Sequence, residues 1–188
     1  AAGADPVEFR LRHLKDPRAR AVIEAAVQQS GWNPAARGDG ARGRGMGFAR
    51  YKNLGCYVAV VAEVDIETVP RVTRAWAAVD VGLVVNRDGV INQIEGGVIQ
   101  AASMTLKERV SFDRERVTSR NWDDYPVIKF SEAPHVEVTL INRPELPPLG
   151  AGEGATGPTA AAIGNAVAAA LGARVRDMPI TRERVIAA

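Results

Sequence analysis

Residues 55–66 constrain the fold more than any other stretch of this chain. Apolar and β-branched residues alternate there, with Cys56, Val58, Val60, Ala62 and Val64 on one side and Tyr57, Ala59, Val61, Glu63 and Asp65 on the other. That period of two belongs to a β-strand. A break at Thr68-Val69-Pro70 separates it from a second strand candidate over 71–79 that ends at Asp80, and two strands so close in sequence read as an antiparallel pair. His135 to Ile141 alternates again through Val136, Val138 and Leu140, a third strand.

Helices surround these strands. Asp5-Pro6 and Asp16-Pro17 each put a capping carboxylate before a proline at the first helical position. The second start leads into Val22, Ile23, Ala26 and Val27 at helical spacing and stops at Gly31. Asn86-Arg87-Asp88-Gly89 reads as a turn, followed by a helix from about Val90 to Arg109 on Ile91, Ile94, Val98, Ala102 and Leu106. Gly96 and Gly97 inside it cost about 1 kcal/mol each relative to alanine, so a ligand or another backbone is expected close to that turn. Pro158 opens an alanine-rich helix that closes at Gly172, and Thr181 can cap a last short one. The polar stretch 112–130 reads as a surface excursion. Strands and helices mix without a regular β–α–β rhythm, so the expected class is α+β, with mixed or antiparallel strands packed against helices.

A single unit is expected, arranged as a helical lead-in (1–32), a linker loop (33–47) and an α+β portion (48–188). The linker holds five glycines and three arginines around Pro34. It is short and lacks aromatic residues, which argues for a solvated or ligand-side loop over a nucleic-acid contact. With 24 Lys and Arg against 22 Asp and Glu, the net charge of +2 makes the same argument for the whole chain. No run approaches the ~20 apolar residues of a membrane span. The opening Ala1-Ala2-Gly3-Ala4-Asp5-Pro6 has neither the basic nor the apolar region of a secretion signal, and reads as the interior of a longer polypeptide or as a processed chain. His13 and His135 lack partners at metal-ligand spacing, and Cys56 reads as core. No metal ligands are assigned.

The loop Leu149-Gly150-Ala151-Gly152-Glu153-Gly154 is the candidate site, and its spacing admits three readings. A carboxylate flanked by glycines near a helix start can serve as a base beside a closely approaching ligand. Gly152-Glu153-Gly154-Ala155-Thr156-Gly157 also satisfies the dinucleotide pattern G-x-G-x-x-G, with Asp177 downstream. That pattern must follow its strand in a tight turn, whereas Asn142 to Leu149 intervene here in an antiparallel context. The third reading is a structural turn in which Glu153 only meets the helix N-terminus.

Several segments taken together go beyond spacing. Val79-Asp80-Val81-Gly82-Leu83-Val84-Val85-Asn86 leads into Asn92-Gln93-Ile94-Glu95-Gly96-Gly97-Val98-Ile99-Gln100, and well downstream comes Leu149 to Pro158. This order and spacing resemble the C-terminal part of the molybdopterin-binding large subunit of the xanthine dehydrogenase/aldehyde oxidase family, the isoquinoline oxidoreductase-like members above all. The opening Asp5 to Arg12 and the loop Gly43 to Ala49 are similar to that family as well. The resemblance implies hydroxylation of a carbon in an N-heterocycle, or of an aldehyde carbon, with oxygen taken from water. It implies that Glu153 is the base that deprotonates a molybdenum-bound hydroxide, with Gln93, Gly150, Ala151 and Gly152 at the cofactor. It further implies molybdopterin, the cytosine dinucleotide form being one option, and Fe–S clusters and FAD carried by partner subunits. The remainder of the large subunit, an Fe–S subunit and an FAD subunit are the implied partners, beside a small-molecule substrate.

Two departures stand out. The family's Gly-Gln-Gly-like pterin stretch is missing, so the phosphate end is expected to be gripped by another chain or an upstream segment. Gly154 stands where many isoquinoline oxidoreductase-like members have proline. A cytoplasmic enzyme component is the leading expectation, with the periplasm open if a partner carries it out. The rival is a non-catalytic subunit or binding module with a dinucleotide-like glycine loop.

Overall fold

The alternating stretch becomes strand β2 (Tyr57–Asp65), an inner strand of a four-stranded sheet ordered β1-β2-β3-β4. In this computed structural model, which describes residues 2–36 and 38–188, the other strands are β1 (Arg42–Arg50), β3 (Arg71–Asp80) and β4 (His135–Ile141). Ala1 and Arg37, which belong to the expected lead-in and linker, lie outside the described residues. The expected β2–β3 pair is antiparallel, with Val61 opposite Trp76 and a register shift between Glu63 and Val64.

Both faces of the sheet are covered, and the period of two decides which residue meets which helix. Cys56, Val58, Val60, Ala62 and Val64 join Ile94 and Val98 of α3 (Arg87–Leu106) and Ile163 and Val167 of α4 (Thr156–Leu171) in one core. Tyr57, Ala59, Val61, Trp76 and Ala78 meet Val22, Ile23 and Ala26 of α2 (Pro17–Ser30) in the other, and α1 (Pro6–His13) adds Val7. Each fully buried valine of β2 contributes about 1.5–3 kcal/mol of transfer free energy. The short α5 (Arg182–Ile186) adds Val185 to the first core.

The two N-terminal helices form as their caps dictate. Asp5 accepts from the N–H groups of Val7 and Glu8, and Asp16 from those of Arg18 and Ala19. Gly31 ends α2 in the left-handed conformation, φ +60°. Asn86 is itself the N-cap of α3, accepting from the Gly89 N–H at 2.8 Å, so the expected turn over 86–89 is the helix's first turn.

Two expectations need correction. The linker loop expected over 33–47 runs only to about residue 41, because Arg42–Arg50 is strand β1. Its alternate glycines face α4, where a Cβ at Gly43, Gly45 or Gly47 would lie 2.1–2.4 Å from the helix backbone at Ala166 or Pro158. Glycine has low strand propensity, yet only glycine lets this helix lie directly on the strand. The second concerns the antiparallel context taken for the approach to the glycine loop: β4 pairs with β3 in parallel, and the sheet is mixed, one of the two forms expected. A parallel neighbour requires a crossover, and α3 supplies it, so the sheet does contain one β–α–β unit. Residues 107–134 on that connection hold only a Phe112–Val117 bridge and a single turn of 3₁₀ helix, as a surface excursion should. Among the described residues, no helix is long and apolar enough to cross a membrane.

Candidate active site

The glycine loop is placed by a buried carboxylate at the end of β3. Asp80 is fully buried and accepts from Arg18 Nε at 3.1 Å, Arg18 Nη2 at 2.5 Å, Arg143 Nε at 2.6 Å and the Gly82 N–H at 2.9 Å. Burial alone would push its carboxyl up. The two guanidiniums and the amide outweigh that, and hold it below the ordinary carboxylate range. Asp80 thereby joins α2, the end of β3 and the segment that follows β4. Backbone bonds continue the attachment: Arg143 N–H to Gly82 O at 3.0 Å, Leu83 N–H to Leu146 O at 3.1 Å and Leu149 N–H to Val81 O at 2.7 Å. Gly82 has φ +71°, and a Cβ there would lie 2.2 Å from the Pro147 carbonyl oxygen. The chain therefore reaches Gly150 from a fixed direction.

Beyond that point the loop divides into an open part and a packed part. Gly150 and Gly152 are exposed, with nothing within 4 Å of where a Cβ would stand, and neither needs a left-handed backbone. Gly154 is the opposite, since a Cβ there would lie 2.4 Å from Cys56 Sγ. This contact explains the departure at 154, because a proline would put its own Cβ on that sulfur. Ala155 is buried, and its Cβ meets the Cβ position of Gly97 on α3 at 3.2 Å. Gly97 thus makes the close approach expected of it, while Gly96 faces open space.

Glu153 stands exposed between the two parts, just before the N-terminus of α4, where no side chain caps the helix. Its Oε2 accepts a hydrogen bond from the Tyr51 hydroxyl. Together with Arg50, Lys52, Thr156 and Gly157 these two residues line a cavity of about 300 Å³. A larger cleft of about 670 Å³ opens at the other end of β1, beside Asp5, Arg10, Arg42, Arg44 and Arg174. Its charges are engaged within the fold: Arg44 pairs with Glu63 at 2.7 Å and Asp5 caps α1. The smaller cavity is the one that holds Glu153, and the open Gly150 and Gly152 lie next to it in sequence without lining it.

Of the residues chosen from sequence, Gly150, Ala151, Gly152 and Glu153 lie together on this loop. Gln93 lies on α3, exposed, one helical turn before Gly97 and so on the face that meets the loop at Ala155. It does not line the Glu153 cavity. Glu95 is half-exposed on α3 and joins neither group. His13 stacks on Phe9 and His135 is exposed near Glu137. Cys56 is buried, and burial pushes its thiol up, away from the reactive thiolate. Among the described residues no group of three or more His, Cys, Asp or Glu could hold a metal ion. Sequence reasoning missed Tyr51, Arg18 and Arg143. Their partners lie 102, 62 and 63 residues away, and no local spacing marks them.

Comparison with known proteins adds to this geometry. The family model of the molybdopterin cofactor-binding domain matches residues 8–134. A nicotinate dehydrogenase component from Pseudomonas putida is 44% identical over 204 aligned positions that take in 100% of this chain and 17% of that protein. The beta chain of isoquinoline 1-oxidoreductase from Brevundimonas diminuta is 36% identical, with 94% of this chain and 23% of that protein aligned. Among solved structures, quinoline 2-oxidoreductase from Pseudomonas putida 86 superposes with a TM-score of 0.62 and 30% identity, covering 70% of this chain and 18% of that one. The chain spans between 17% and 23% of the length of these two curated relatives.

Proposed function

Since this chain belongs to the molybdopterin cofactor-binding domain family, we propose that it is the C-terminal portion of that domain in a molybdenum hydroxylase. Its reaction is the insertion of water-derived oxygen at a carbon of an N-heterocycle or an aldehyde. The relatives that carry the names nicotinate dehydrogenase and isoquinoline oxidoreductase favour the heterocycle. The observation that carries the proposal is Glu153: an exposed carboxylate, set by packed neighbours on one side and by bare glycines on the other.

The residues present fit the cofactor. Gly150 and Gly152 have open space where their side chains would stand, and the fold requires glycine at neither through packing or a left-handed backbone. Backbone bared in this way admits a large planar group within contact distance. Gly150, Ala151 and Gly152 would line that group, and the Gln93 amide, able to donate and to accept, would meet its polar edge from α3. Molybdopterin, when bound, supplies the oxygen nucleophile and accepts the two electrons taken from substrate. Glu153 supplies what that chemistry still needs, a carboxylate oxygen that takes the nucleophile's proton as its bond to carbon forms.

The remainder of the large subunit encloses the other side of the cofactor and grips its phosphate end, the cytosine dinucleotide form being one option. Electrons leave through partner subunits that carry Fe–S clusters and FAD. Metal and pterin analysis of the complete large subunit, purified with its partners, tests the assignment. Molybdenum and pterin in equal amounts are the expected result; a pure, folded complex that contains neither would overturn it.

A further inference from the structure

Tyr51 sits on the turn that joins β1 to β2, and the turn is built to hold one orientation. The Tyr51 N–H donates to Cys56 O at 2.9 Å, and the Tyr51 carbonyl accepts from Leu54 N–H at 3.1 Å and Gly55 N–H at 2.8 Å. Gly55 lies so close that a Cβ would stand 3.1–3.3 Å from Tyr51 atoms. Lys52 and Asn53 hold left-handed backbone, φ +47° and +58°, which residues with a Cβ adopt at a cost. On the facing loop, Gly154 packs on Cys56 Sγ and Val58. The backbones that carry Tyr51 and Glu153 are thus locked together beside the point where the hydroxyl meets Oε2. The anchored backbones reduce the ordering cost of this contact relative to a surface pair carried on two mobile loops.

On the reading of Glu153 as the base, we infer that Tyr51 is its positioning residue. The phenol O–H donates to Oε2 and fixes the plane of the carboxylate. Oε1 is left as the oxygen that receives the proton, which keeps the base in a productive orientation without occupying it. The phenol keeps its own proton throughout, and only the transfer to Oε1 occurs. The Tyr51 side chain packs against the first core and its hydroxyl donates to Glu153 at the cavity, so Tyr51→Phe keeps the packing and removes only the hydrogen bond.

The test is Tyr51→Phe in the complete molybdenum-containing complex, with Glu153→Gln and the double variant beside it. Molybdenum content is expected to stay at the wild-type level and KM to stay nearly constant, while kcat falls about tenfold or more. In the Glu153→Gln background the same change is expected to cost nothing further, because the carboxylate it serves is gone. A wild-type kcat in Tyr51→Phe, or an equal loss in both backgrounds, would overturn the inference. Infrared difference spectra of the cofactor-free large subunit give a readout that needs no turnover. The carboxylate band that Glu153→Gln removes is expected to move in Tyr51→Phe, and a band that stays in place would refute the contact. Failure of the base reading is separate, since it appears as near-normal turnover in Glu153→Gln with the infrared shift intact.

Discussion

Asp80 shows how one side chain sets the position of a distant loop. It accepts four hydrogen bonds, three of them from two distant arginines, and has no access to solvent, so an alanine there leaves two arginines facing an empty acceptor site. Removing one member of such a pair costs about 3–5 kcal/mol when burial is deep, and about 3 kcal/mol is expected because Arg18 and Arg143 are only partly buried. Chemical denaturation of the complete large subunit carrying Asp80→Ala measures it. The pH dependence follows from the direction of the shift. The folded carboxyl is held below its unfolded value of about 4, so its contribution is fully present above about pH 4. It is lost as pH falls through the lower folded value, and Asp80→Asn should flatten the acid limb of the stability profile. An acid limb identical to wild type would mean that the carboxylate does not hold the network. None of this was legible in the Asp80-to-Asn86 segment, which marks the family but says nothing of arginines 62 and 63 residues away.

At the scale of elements, the contrast between β1 and the glycine loop at 149–154 separates two uses of glycine that sequence alone does not distinguish. In β1 the glycines at 43, 45 and 47 let α4 rest on the strand; in the loop, Gly150 and Gly152 face empty space. Gly45→Ala would drive a Cβ to 2.2 Å from the Ala166 nitrogen, and backbone on both sides cannot yield cheaply. A loss of about 1–3 kcal/mol or more is expected, read as a lower melting temperature. Gly152→Ala should leave the melting temperature within about 2 °C of wild type, since an exposed site without strain changes stability little. It should instead lower the molybdenum retained on purification. Equal melting temperatures for Gly45→Ala and wild type would contradict the packing described for β1. The strand was hidden because its composition mimics a linker, and the reason for that composition is an alanine-rich helix more than a hundred residues downstream. The two N-terminal helices were more transparent, because Asp5, Asp16 and Gly31 act within four residues of themselves, whereas the Asn86 cap read as a turn.

For the whole molecule, the alternation over 55–66 carried the fold a long way: it places β2 at the centre of the sheet and assigns each of its faces to a different pair of helices. What it could not carry was the direction of β4, since strand polarity in a sheet depends on the path of α3 and not on the strand's own pattern. The site followed a similar division. The order of its segments pointed to Glu153 and its glycines, while Tyr51 became visible only once the β1–β2 turn was seen against the α4 loop. The central claim, that this fold presents Glu153 as the base of a molybdenum hydroxylase, has one direct test: the turnover of a Glu153→Gln complex whose molybdenum content equals that of wild type. General-base removal predicts a fall in kcat of about 10²–10⁴-fold with the cofactor still in place. Hydroxylation at near the wild-type rate in that complex would contradict the claim.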